Sequence, residues 1–98
     1  MNIEKIVLKN LLQNEPYARK ALPFLKEEYF QSPDDKALYV IVRDFILNFN
    51  ALPSYDALGI EVNQKKGLTE EIQKGIAETI NEFQQHPDKP NLDWLAIS

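Results

Sequence analysis

Three pairs of neighbouring acids are the residues best equipped for chemistry: Glu27-Glu28, Asp34-Asp35 and Glu70-Glu71. Paired carboxyls serve as acid and base in glycoside cleavage when they face each other across a cleft. Sequence neighbours on a helix instead point about 100° apart. Two of the pairs also fall in the opening turns of helices, where the positive end of the helix dipole already accounts for acids. The spacing therefore favours a structural role over catalysis. The one histidine, His86, stands beside Pro87 with no ligand-type spacing around it, and reads as a solvated loop residue.

No other motif supplies a reaction centre. Gly59, Gly67 and Gly75 are eight residues apart and form neither a phosphate loop nor a dinucleotide-binding turn. Lys65-Lys66-Gly67 lacks the Ser or Thr that would follow a Gly-Lys pair, so nucleotide hydrolysis is not expected of this segment. There is no cysteine, which removes disulfides, thiolate catalysis and thiolate metal sites together. The expectation is no catalytic, metal or cofactor-binding residue. With 15 acids against 11 bases the net charge is −4, the wrong balance for gripping phosphates. Lys5, Lys9, Arg19 and Lys20 are scattered and make no basic stripe, so direct nucleic-acid binding is not expected. The N-terminal residues have no basic region and no long apolar run follows, so neither a signal peptide nor a membrane span is expected.

The elements that must position these side chains are helices. Ninety-eight residues, 44% of them hydrophobic, suffice for one domain with a real core. Apolar spacing is helical almost throughout, and no segment alternates as a half-buried strand does. The first helix is expected over Ile3 to Gln13, and Asn14 separates it from a short second helix opening at Glu15-Pro16. Pro23 interrupts that pattern, and Phe24 to Phe30 is read as a helical turn pressed on the core. Ser32-Pro33 opens a long central helix to about Asn50, with Ser32 as N-cap. Leu38, Ile41, Val42, Phe45, Ile46 and Phe49 form its buried stripe.

Val40 and Leu47 lie on the other side of that helix, as a second core layer or as the seam to a partner. A fourth helix starts after Ser54, and Thr69 caps a fifth whose narrow stripe is Ile72, Ile76, Ile80 and Phe83. Residues 86–90 read as a proline-bounded linker. Asn91 then caps a helix carrying Leu92, Trp94 and Leu95, which is expected to continue past Ser98. The division expected is a head over residues 1–90 and the start of a truncated linker or hairpin helix over 91–98. Val40, Leu47, Leu92, Trp94 and Leu95 are the candidate partner-binding residues, the tryptophan because it is enriched at interface anchors.

The ordered pattern resembles a known family. Glu4-x-x-Val7-Leu8-x-x-Leu11-Leu12 matches a first helix, and Leu25-x-x-x-Tyr29-Phe30-x-Ser32-Pro33 a run into a central one. Ala37-Leu38-Tyr39-x-x-Val42, Leu52-Pro53-Ser54-x-x-Ala57-Leu58 and Trp94-Leu95 continue the series. Together they resemble the N-terminal domain of DnaB-like replicative helicases, in the version of T-even-type bacteriophages. Lys9 stands where bacterial members usually carry glycine, and Asp35 near the position of a histidine, which points to the phage branch.

The resemblance implies an all-α bundle of about five to six short helices. It implies a head in a collar of neighbouring helicase subunits that docks primase or a helicase loader, in the cytoplasm of a host cell. The motor, with its ATP and magnesium, would lie beyond Ser98, so this piece alone would not be an enzyme. The alternative from another class is a free-standing phage adaptor or inhibitor that binds a host protein. A small carboxylate enzyme ranks last.

Overall fold

The computed structural model of the chain describes residues 3–85. The candidate residues Leu92, Trp94 and Leu95, with His86 and the 91–98 helix, lie outside them. Five α-helices follow one another: α1 (Ile3–Gln13), α2 (Glu15–Ala21), α3 (Pro33–Phe49), α4 (Tyr55–Gln64) and α5 (Glu70–Gln85). Two short 3₁₀ turns, Leu22–Phe24 and Glu27–Tyr29, link α2 to α3. The described residues are an all-α bundle with no strand, as the apolar spacing predicts.

Local chemistry explains the boundaries. The Asn14 carboxamide oxygen accepts from the Tyr17 N–H at 3.1 Å and caps α2, whose second residue is Pro16. Ser54 Oγ accepts from Ala57 N–H at 3.0 Å to open α4, and Thr69 Oγ1 accepts from Ile72 N–H at 3.2 Å to open α5. Asn50 closes α3 in the left-handed conformation, φ 53°, with its N–H on the Ile46 carbonyl. Asparagine tolerates that backbone where a branched residue would not.

α3 is the hub, packed against α1, α4 and α5. Leu8, Leu11, Leu38, Val42, Leu58, Ile76 and Phe83 are fully buried around it. Each such side chain contributes on the order of 1.5–3 kcal/mol when removed from water. The α5 stripe lies as expected, with Ile76, Ile80 and Phe83 buried and Ile72 half-buried.

Two expectations about the core need correction. Phe49 is not core: it is 62% exposed and its ring leans on Phe45, 4.6 Å between centroids. Spacing fixes the side of a helix a residue is on, but not how far along that side the neighbours reach. The Phe24–Phe30 segment is only partly pressed on the core. Its first 3₁₀ turn places positions three apart above one another, so Leu22 and Leu25 face inward together. Phe24, between them, is 78% exposed, and Tyr29 is exposed also.

Candidate functional site

A polar cluster fixes the junction of α1, α3 and α5. Lys5 Nζ donates to Asp35 Oδ1 at 2.8 Å and to Thr79 Oγ1 at 3.2 Å. Thr79 in turn donates to the Gly75 carbonyl at 3.0 Å. Asp35 is only 1% exposed, which is rare for an acid and possible here because Lys5 is its partner. Burial pushes the Asp35 carboxyl above its ordinary value, against the pull of Lys5.

Glu4, one residue earlier, faces the same junction. Its carboxylate accepts from the Gln31 N–H at 3.1 Å and the Ser32 N–H at 3.3 Å. The Gln31 N–H is the chief cause that holds Glu4 below its ordinary value. Glu4 and Asp35 also interact electrostatically, and Oδ2 of Asp35 is buried and makes no hydrogen bond. Their contact is a lesser cause of both shifts, lowering Glu4 and raising Asp35.

The expectation that helix dipoles account for the Asp34-Asp35 pair is therefore incomplete. The two separate by role: Asp35 turns inward to Lys5, while the Asp34 carboxylate occupies the space where a side chain on Gly75 would begin. Gly75 thus lets α5 approach the start of α3. Ser32 also departs from expectation. It sits at the N-cap of α3, but its hydroxyl makes no capping bond, and the remote Glu4 carboxylate serves the two N–H groups there. The sequence signal for Asp35 would have been a lysine on α1, yet nothing in spacing alone joins positions 5 and 35.

The other acid pairs stay at the surface. Glu27 pairs with Arg43 at 3.1 Å, and Arg43 also pairs with Asp44 and lies 5.6 Å over the Tyr39 ring. Tyr39 stacks on Phe30 with centroids 4.8 Å apart and donates its hydroxyl to the Leu25 carbonyl at 3.0 Å. It thereby pins the 3₁₀ linker to α3. Glu70 and Glu71 are exposed in the first turn of α5. Among the described residues, no three His, Asp or Glu side chains stand where they could hold a metal ion. The Lys65-Lys66-Gly67 loop does not fit a phosphate, because Thr69 caps the helix that follows and Glu70-Glu71 occupy its positive end. No described helix is long and apolar enough to cross a membrane.

What remains is surface. Val40 is half-buried, packed on the core and lining a groove between α3 and the start of α5. Leu47, two turns further along α3, is 69% exposed and outside that groove. A second apolar groove runs between the start of α1 and the 3₁₀ linker, walled by Ile3, Val7, Leu25, Tyr29 and Phe30. The sequence reading of Phe24–Phe30 as a turn pressed on the core does not reveal this exposed edge.

The described residues form a small all-helical bundle with a buried ionic junction and apolar grooves at its surface. No protein-family model matches the sequence. The chain is similar to a DnaB-like replicative helicase of Enterobacteria phage T4, at 24% identity over 91 residues. The match takes in 93% of this chain but 18% of that protein, so the chain spans less than a fifth of its relative's length. The relationship is distant and helicase-related.

Proposed function

We propose that this chain is the non-catalytic N-terminal head of a replicative hexameric DNA helicase, contributing to ring assembly and to docking of primase or a helicase loader. The observation that carries the reading is the likeness to the phage helicase along 93% of this chain, on an all-helical bundle of the kind the family resemblance implies. The interior polar groups support it. Lys5, Asp35, Thr79 and Glu4 are engaged with one another and with backbone, which suits a rigid platform. ATP and magnesium would belong to a motor domain elsewhere in the same protein.

The test is the reading frame in which residue 98 lies, expressed in full. It should encode a helical hairpin and then a strand followed by a Gly-Lys-Ser/Thr loop. The whole protein should assemble as a hexamer with ATP-dependent unwinding, and the 98-residue chain alone should have none. A frame without a phosphate loop would overturn the reading in favour of a free-standing adaptor.

A further inference from the structure

We infer that the groove between α3 and the start of α5 is a docking site for an acidic amphipathic helix of a partner protein. Its floor is apolar and half-buried: Ala37 and Val40 from α3, Leu68 from the loop before α5, and Ile72 from α5. The space between them is about 360 Å³. Lys36 and Lys65 are exposed at its edges, one from α3 and one just past the end of α4.

Charge selects the occupant. Neither lysine is ion-paired to a described residue. The one acid at the groove, Glu27, is already held by Arg43 at 3.1 Å. An apolar trough flanked by two unmatched cations, on a chain whose net charge is −4, is a local reversal of the overall sign. It complements apolar side chains at i and i+3 or i+4 flanked by Glu or Asp. A nucleic acid would meet two cations but no aromatic platform there, which leaves the apolar floor unused.

This deepens the docking role proposed above and rests on that role. Its test is separable, because it reads the groove in the 98-residue chain and not the downstream reading frame. The chain is used to select from a displayed library of random 15-residue peptides, and the enriched peptides are titrated into isotopically labelled chain by NMR. The enriched peptides should be acidic with helical apolar spacing. They should shift the Ala37, Val40, Leu68 and Ile72 amides, and weaken as salt rises. The double variant Lys36→Glu/Lys65→Glu, both exposed, should keep the fold by circular dichroism and lose about tenfold or more in affinity. A peptide with its acids changed to lysine should regain binding to that variant. No enrichment, enrichment of neutral or basic peptides, or shifts confined to the Ile3–Tyr29 edge would overturn the proposal. So would shifts at the four groove amides that depend on chain concentration without peptide, which would make a second copy the occupant.

Discussion

Lys5 reaches across from α1 to place its ammonium 2.8 Å from Asp35 Oδ1, in a site where Asp35 is almost wholly buried and Lys5 is a quarter exposed. The asymmetry decides what each substitution costs. Lys5→Met keeps the stem but strands a buried carboxyl, and should destabilise the chain by about 3 kcal/mol at neutral pH. Asp35→Asn keeps an acceptor for Lys5 and offers Glu4 an N–H, so it should cost about 1 kcal/mol or less. The double variant should recover most of the Lys5→Met loss. Urea unfolding of the four proteins measures this, and additive costs would show that the pair is not coupled.

The same junction should make stability depend on pH in two opposed ways. Asp35 titrates above its ordinary 3.8 in the folded chain, chiefly through burial. Above 3.8 the folded state therefore holds a proton that the unfolded chain has released, and this contribution fades as pH rises through the folded value. Glu4 titrates below its ordinary 4.5, chiefly through the Gln31 N–H. Its contribution is full above 4.5 and is lost as pH falls through the folded value. Relative to wild type, Asp35→Asn should thus gain stability as pH rises from 4 to 7. Glu4→Gln should be weakest at neutral pH and approach wild type in acid. Unfolding midpoints between pH 3 and 7 read both trends, and parallel curves for all three proteins would contradict them.

Gly75 is set inside α5, where alanine should stabilise a helix by about 1 kcal/mol. Here the Asp34 carboxylate stands in the way of a new side chain. Gly75→Ala alone should give little gain or a loss, because Asp34 must swing aside. In an Asp34→Ala background the same change should realise the full helical gain. The difference between the two backgrounds, by thermal or urea unfolding, is the quantity to measure. Equal effects would mean that Asp34 and Gly75 do not compete for the space.

Much of this fold is legible in the sequence because caps and periodicity are local. Asn14, Ser54 and Thr69 sit at helix starts, where side-chain oxygens meet backbone N–H groups three residues away. The stripe on α5 follows from spacing alone. What was not legible is long-range. Tyr39 looks like one more aromatic in an apolar helix, but its hydroxyl bond to the Leu25 carbonyl depends on how the linker folds back. Asp35 looks like an ordinary first-turn acid until α1 brings Lys5 to it. The grooves beside Val40 and Ile3 arise where two elements diverge, which no single element's pattern encodes.

The two serines that open α3 and α4 look alike in sequence and should behave differently on truncation. Ser54 Oγ accepts the Ala57 N–H, so Ser54→Ala should cost about 1 kcal/mol. Ser32 makes no such bond, and the chain around it is served by the Glu4 carboxylate instead. Ser32→Ala should therefore change stability by less than about 0.5 kcal/mol. Glu4→Gln should carry the larger penalty at that end of α3, because a charge-assisted acceptor near a helix N-terminus is replaced by a neutral one. Hydrogen exchange separates the cases: Glu4→Gln should speed exchange of the Gln31 and Ser32 amides, and Ser54→Ala that of Ala57. Fast exchange at Gln31 in wild type, or a Ser32→Ala cost equal to that of Ser54→Ala, would return the capping role to Ser32.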